Sequence, residues 1–459
     1  ALFRAIGSVM IENGWIDKSF IDSNTSGYES YFKASKRINW DDVEKATGQS
    51  QSRIRELAAL FSKSRSTIIC WAMGITQHKN SVDTIREMVN VLLLGGHIGR
   101  PGAGVCPVRG HSNVQGDRTV GITHAPSEKF LSAIQKIYGV TPVSSHGTDA
   151  VHAVEQMNEK GGIFLSLGGN FLSAMSDTDR TAKALESCSL TVQISTKLNR
   201  SHLITGETAI ILPCLGRTDE QVTSNGHQIL SVENSMGVVH MSEGSKKRPT
   251  MSMRPEPTII AGIAEKLQAM NGGTIQWSKL GSDFSLIREG IEATVPGFEA
   301  YNSRILRPSG FELPNPPRDT RTFRTSSGRA EFSAAEISTF APHDGAYTMM
   351  TIRSHDQFNT TIYTDNDRYR GISGSRRIVL MSKEDMKERG FHSGQMVHIS
   401  TTGVGRKMES GEWSIVPYEI PKGCVATYFP ESNHLIPLES YAEGSFTPTS
   451  KSISVLING

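Results

Sequence analysis

The feature that most constrains the fold is an alternation of short apolar runs closed by glycine with segments of helical spacing. Thr67-Ile-Ile-Cys-Trp-Ala-Met73 is such a run, ended by Gly74, and ahead of it Ile54, Leu57, Ala58, Leu60 and Phe61 recur at helical spacing. The run predicts a parallel strand buried on both faces. Asn80 or Ser81 then caps a helix carrying Val82, Ile85, Met88, Val89, Leu92 and Leu93, with Gly95-Gly96 as its stop. The pattern returns further on. Ile163–Leu167 runs into Gly168-Gly169-Asn170, a helix is expected near Thr178–Ser187, and strands follow at Leu190–Ser195 and Ala209–Pro213. Strands alternating with helices argue for parallel α/β sheets, which take ligands at the carboxyl ends of their strands. Gly74 and Gly168-Gly169 fall there; taken singly, each is also an ordinary tight-turn signal.

The character changes after residue 307. Residues 308–329 carry Pro308, Pro314, Pro316 and Pro317, then Arg318, Arg321, Arg324 and Arg329, without periodicity, and read as a connector. Beyond it, Tyr347–Arg353, Arg377–Met381, Met396–Ser400, Trp413–Tyr418, Cys424–Phe429 and Ile453–Leu456 are short β-rich runs, interrupted by one helix near Lys383–Arg389. A compact β-barrel or sandwich is expected.

Composition narrows the function. The chain has 459 residues, 37% hydrophobic and 20% charged, with 48 basic and 46 acidic residues for a net charge of +2. That balance argues against a nucleic-acid partner or a polybasic membrane binder. No apolar run reaches the roughly 20 residues of a membrane helix, and no signal peptide is seen. The five cysteines, Cys70, Cys106, Cys188, Cys214 and Cys424, contain no CxxC and fit a reducing compartment, the cytoplasm. They offer no self-contained zinc or iron–sulfur site, so no metal-ligating residue is assigned within the chain. The opening at Ala1 carries helical spacing in Leu2, Ile6 and Met10 with no initiator Met, and reads as part of something longer. P-loop, Rossmann, zinc-protease and nucleophile-elbow signatures are missing, which disfavours an NAD- or thiamine-type enzyme.

Three segments are suited to chemistry. Gly95–Gly116 concentrates glycine at 95, 96, 99, 102, 104 and 110, so backbone can approach a ligand, while Arg100, Arg109, His111, Asn113 and Gln115 supply donors for anionic or heteroaromatic groups. A long surface loop is the alternative. Arg353-Ser-His-Asp-Gln-Phe-Asn-Thr-Thr361 is a second donor-rich stretch; the arginines after it, Arg368, Arg370, Arg376 and Arg377, read as a solvated face. In the third, Pro430-Glu-Ser-Asn-His434, Asn433 is either a bridging structural amide or a ligand contact. Cys106 reads as packing.

Trp71-Ala-Met-Gly-Ile-Thr-Gln-His78, a helix, and then Gly95–Gly116 with its Pro-Val-Arg-Gly-x-x-Asn-Val-Gln-Gly ending resemble the molybdopterin oxidoreductase (dimethyl sulfoxide reductase) family, best known from formate dehydrogenase alpha subunits. The likeness continues at Gly168-Gly169-Asn170, Val192-Gln193, Thr325–Phe332, Arg353–Thr361, Arg370-Gly371 and Pro430–Asn433, and covers essentially the whole chain. It implies an α/β region over 1–111, a second α/β region binding a pterin dinucleotide over 112–307, a linker at 308–345 and a double-psi-like β-barrel over 346–459. The implied cofactor is a molybdenum or tungsten ion held by two molybdopterin guanine dinucleotides. The family carries its metal-ligating side chain, and a 4Fe-4S cluster where present, in an amino-terminal region corresponding to none of these residues.

Residue by residue, Gly74, Gln77, Gly169, Asn170 and Gln193 match family positions at strand ends that touch one dinucleotide. Arg353, Ser354, Gln357, Asn359 and Asn433 match barrel positions that touch pterins and phosphates. Arg109 matches the arginine beside the metal, where a fixed guanidinium holds an anionic substrate. His111 stands where formate dehydrogenases carry glutamine, a departure that bears on formate as substrate and suits proton transfer near neutral pH, or else a structural donor to the cofactor. His78 is expected to pack or hydrogen-bond near the cofactor. The implied activity is a two-electron, proton-coupled reaction on a small substrate with an unidentified electron partner. The alternative is a non-catalytic cofactor-binding module.

Overall fold

The structure, a computed structural model, describes residues 1–111, 113–337, 342 and 344–459. Part of the 308–345 connector and residue 112 of the Arg109–Gly116 segment lie outside the described residues. The chain divides into two compact units, one built from Ala1–Val108 with Asn315–Gly459, the other from Arg109–Pro314.

In the first unit, α1 (Leu2–Glu12) packs between α2 (Gln51–Lys63) and α3 (Ser81–Leu94). The apolar faces expected from periodicity meet there: Ile6, Val9, Met10, Ile54, Ala58, Val91, Leu92 and Leu93 are all buried. Strands β1 (Ile68–Trp71) and β2 (Gly104–Pro107) pair in parallel. Parallel pairing is as expected, but burial on both faces is not: Ile69 is buried while Ile68 is 52% exposed. Two strands have a single apolar layer behind them in this unit, so only one face is covered. Gly95–Gly116 is also not a continuous loop, since β2 and a helix interrupt it.

The second unit holds that helix, α4 (Val114–Thr119), and a three-stranded parallel sheet of β3 (Gly162–Leu167), β4 (Cys188–Ser195) and β5 (Thr208–Pro213). Helices α5 (Ala150–Lys160) and α6 (Thr178–Glu186) pack on each other, their buried Val151, Val154, Ala184 and Leu185 forming the apolar contact. Strands β6 (Leu230–Glu233), β7 (Val238–Ser242) and β8 (Phe311–Glu312) form a separate antiparallel sheet beside Phe298 and Tyr301.

The carboxyl-terminal part of the first unit is a closed barrel. Its strands are β9 (Tyr347–Ile352), β12 (Ile378–Met381), β13 (Met396–Thr401), β14 (Glu409–Pro417), β15 (Cys424–Tyr428) and β16 (Ile453–Asn458). A small hairpin, β10 (Gln357–Phe358) with β11 (Thr361–Ile362), follows β9, and α7 (Lys383–Arg389) follows β12. Around the barrel the order is β9-β15-β12-β14-β13-β16, and β16 closes on β9. Closure leaves no free edge, which answers the choice between barrel and sandwich. The interior holds Met349, Val379, Ile399, Trp413, Ile415, Val425 and Val455, each with no exposed surface. The buried Trp413 indole N–H donates to Ser410 Oγ at 2.9 Å.

Candidate functional site

In the first unit the turn after β1 and the rim of the barrel come together. β1 ends at Trp71 and the chain bends through a short helical turn, Met73–Thr76, that leaves Gly74 exposed. Gln77 is fixed from the barrel: its Oε1 accepts from Ser450 Oγ at 2.8 Å, and its carbonyl accepts from the Lys451 N–H at 3.2 Å. Burial lowers His78 below its ordinary range, opposed by a hydrogen bond at Gly74 and helped by the Lys451 charge. His78 is therefore a neutral packing residue at this junction.

Lys451 is the group sequence reasoning missed. Its Nζ donates to the carbonyl and Oγ1 of Thr351, both uncharged, and burial with the nearby Arg353 charge pushes it down to about 8. Arg353 is itself lowered by burial; it donates to Asn359 Oδ1 at 3.4 Å and lies 5.6 Å from the Phe429 ring centre. Neither cation forms an ion pair with a carboxylate among the described residues. Two neighbouring, half-buried, uncompensated cations are unfavourable alone and favour an anion between them. A lone Lys in the polar break before β16 carries no sequence signal of this.

Ser354 and Gln357 are buried, and their polar atoms face a guanidinium. Arg376, expected on a solvated face, is 5% exposed and forms the hub. It donates to Ser354 Oγ at 2.7 Å, to Gln357 Oε1 and the Phe429 carbonyl at 2.9 Å, and to both oxygens of Glu431 at 2.6 and 3.1 Å. Gln357 Nε2 donates to the carbonyls of Asn359 and Phe429, each at 2.7 Å. Arg370 departs from the solvated face as well, pairing at 2.5 Å with the buried Asp367. Burial would raise Asp367; hydrogen bonds from Tyr428 and Arg370, the Arg370 charge and His355 bring it below the carboxylate range instead. The solvated-face reading fails for these two because Arg370 finds the buried Asp367 three residues back in the chain and Arg376 finds Glu431 55 residues on. Asn433 is buried at the start of a short 3-10 turn next to Leu435 and Ile436 of the barrel core.

In the second unit, Gly169, Asn170 and Gln193 gather at the carboxyl end of β3 and β4. Gly168 and Gly169 adopt φ of 71° and 83°, left-handed backbone open to glycine at little cost, so the chain turns sharply off the sheet. Asn199 Nδ2 donates to the Gly169 carbonyl at 2.8 Å. Ser201 Oγ donates to Asn170 Oδ1 at 2.9 Å, and Gln193 Nε2 donates to the Ser201 carbonyl at 2.9 Å. His202 accepts at Nδ1 from the Asn199 N–H, which leaves the proton on Nε2, a buried atom with no partner among the described residues. Asn199, Ser201 and His202 were missed, although Asn-x-Ser after a strand is a recognisable cap.

Arg109 and His111 are exposed in this same unit. The segment after them is clamped on β6. Asn113 Oδ1 accepts from the Glu233 N–H at 3.0 Å, and Gln115 Nε2 donates to the Glu233 carbonyl. A Cβ on Gly116 would lie 2.0 Å from Asn113 Oδ1, so a side chain there would push the Asn113 amide off the Glu233 N–H. Burial raises Glu233, opposed by a hydrogen bond from Thr119 and the Arg109 charge, and its Oε2 has no partner among the described residues. The sequence-predicted residues thus form two groups, Gly74, Gln77, Arg353, Ser354, Gln357, Asn359 and Asn433 in the first unit, and Arg109, His111, Gly169, Asn170 and Gln193 in the second. Among the described residues no group of three or more His, Cys, Asp or Glu side chains could hold a metal ion.

A closed barrel with an anion-seeking rim, preceded by parallel α/β sheets with glycine turns at their strand ends, defines a dinucleotide-binding protein of the α/β class. Residues 347–454 match the Molydopterin dinucleotide binding domain. An uncharacterised oxidoreductase of Mycobacterium tuberculosis (strain H37Rv) is 44% identical over 467 residues, covering 99% of this chain and 60% of that protein. Formate dehydrogenase H of Escherichia coli K12 is 36% identical over 154 residues, 32% of this chain and 22% of that protein. Acetylene hydratase from Pelobacter acetylenicus superposes with a TM-score of 0.68 over 100% of this chain and 70% of that one, at 15% identity, a likeness of fold. Residues 347–454 are thus a molybdopterin dinucleotide binding domain, and the chain is similar over nearly its whole length to the mycobacterial oxidoreductase. It spans about three fifths of the length of its mycobacterial relative.

Proposed function

We propose that this chain is the dinucleotide-gripping part of a molybdenum or tungsten oxidoreductase that uses two molybdopterin guanine dinucleotides, with a formate-dehydrogenase-like two-electron, proton-coupled reaction on a small substrate. The observation that carries the reading is the Lys451–Arg353 pair, two cations without a carboxylate in the domain matched to dinucleotide binding. A pyrophosphate supplies the charge this pair lacks. Residues fit the cofactor in both units: Arg353, Lys451, Gln77, Gly74, Asn359 and Asn433 would hold one part, with Ser354 and Gln357 fixed behind them by Arg376. Gly169, Asn170 and Gln193, with the unpartnered His202 Nε2–H, would hold another.

When bound, the cofactor supplies the two-electron redox change. The chain's own residues do the rest. Arg109 orients an anionic substrate through its guanidinium, and His111 takes or gives a proton at a ring nitrogen. Segments 1–111, 112–307, 308–345 and 346–459 are proposed as the organisational modules. All five cysteines are free thiols, which supports a cytoplasmic setting. A 4Fe-4S cluster and the metal-ligating side chain, where the whole protein has them, would lie outside these residues.

The test is metal analysis and pterin fluorescence of the whole protein together with the Arg109→Ala variant. Normal molybdenum or tungsten and pterin content with turnover reduced about a hundred- to a thousandfold is expected. Loss of metal with unchanged turnover per metal would remove the role given to Arg109. A folded protein without pterin would favour a non-catalytic module.

A further inference from the structure

The sequence scatters its cysteines, but the fold does not. β1 and β2 pair in parallel with Cys70 opposite Cys106. Strand partners lie about 4.8 Å apart at Cα and point their side chains to the same face, inside the Cα separation that disulfides span. Burial and contact with the Cys70 thiol raise Cys106. Cys70 is exposed and Cys106 half-buried, so one thiol of the pair is open to an oxidant and the second stands behind it. The other three cysteines lack this combination. Cys188 and Cys214 are buried, Cys214 is pushed up to about 11 by burial and the neighbouring Glu256, and Cys424 has no cysteine as strand partner.

We propose that Cys70 and Cys106 are a modification site, a dithiol that closes to a reversible disulfide by exchange with a small-molecule disulfide of the glutathione class. The Cys70 thiolate attacks one sulfur of the oxidant and expels a thiolate, leaving a mixed disulfide. The Cys106 thiolate then attacks Cys70 Sγ and expels the second. Two protein thiols lose two electrons and two protons, and the oxidant leaves as two thiols. The bond would tie β1 to β2 where they already meet through the Val108 N–H and Trp71 carbonyl at 2.7 Å, just ahead of the Gly74 turn. It would thus stiffen the strand ends from which the proposed ligand contacts start.

The 459-residue chain is incubated with oxidised glutathione at pH 8, its remaining thiols are blocked with iodoacetamide, and tryptic peptides are read by mass. The expected result is a pair joined between Ser66–Lys79 and Glu87–Arg109, about 2 Da below the sum of the two reduced peptides and separated by dithiothreitol. Cys106→Ser should halt the exchange at a glutathione adduct on Cys70. Persistent adducts on both cysteines without a joined pair would overturn the proposal. So would two unreacted thiols, or a link from either cysteine to a different one.

Discussion

Lys451 shows how much one buried ammonium can reveal. Its pKa falls from 10.5 to about 8, so between those values the folded chain binds fewer protons than the unfolded one. Stability therefore rises with pH across that window. Lys451→Met is expected to melt higher than wild type at pH 7 and to lose that advantage by pH 10, measured by thermal unfolding. The same variant should weaken pyrophosphate binding at pH 7 by at least tenfold, read by calorimetry. Wild-type affinity should fall as pH rises through about 8 and the cation is lost. Glu233 gives the opposite sign. Its carboxyl is raised, so stability falls as pH climbs out of the ordinary carboxylate range, and Glu233→Gln should melt no lower than wild type at pH 7. At this scale the sequence was least informative. Gln77, Gly169 and Asn433 could be named from motif order, but Lys451, His202 and Glu233 owe their character to burial and neighbours, which no local pattern encodes.

Elements were more legible. Helical spacing and short apolar runs located α3, α7, β3, β5 and most barrel strands to within a few residues, although β3 and β5 leave Ile163, Leu165, Leu167, Ile210 and Ile211 exposed. What periodicity could not supply was the partner of a charge. Arg376 and Arg377 are adjacent in sequence, yet Arg376 is buried against Glu431 while the Arg377 side chain is 51% exposed. Arg376→Lys cannot reproduce the fork that serves Ser354, Gln357, Phe429 and Glu431. It should cost about 3 kcal/mol in urea unfolding, the scale of a broken buried pair, whereas Arg377→Lys should stay within about 0.5 kcal/mol. Equal losses for the two would mean the hub carries no special weight. The two-faced burial expected of β1 failed for a related reason: an apolar run shows that one side must be covered, but says nothing of the second.

For the whole molecule, the barrel was readable as an architecture, since many short strands with glycine and proline between them close on themselves. The interleaving of the two units was not, because it depends on contacts hundreds of residues apart. Limited proteolysis should cut near Val108–Arg109 and Pro314–Asn315 and leave an intact Arg109–Pro314 fragment; rapid digestion throughout that stretch would refute its independence as a unit. The Gln77–Ser450 hydrogen bond spans 373 residues. At translation speeds of about 5–20 residues per second, Gln77 waits on the order of 20–75 s on the ribosome before Ser450 exists. Every nascent chain therefore emerges with Gln77 lacking its Ser450 partner, and the junction of the β1 turn with the barrel rim is completed only when nearly the whole barrel has been made.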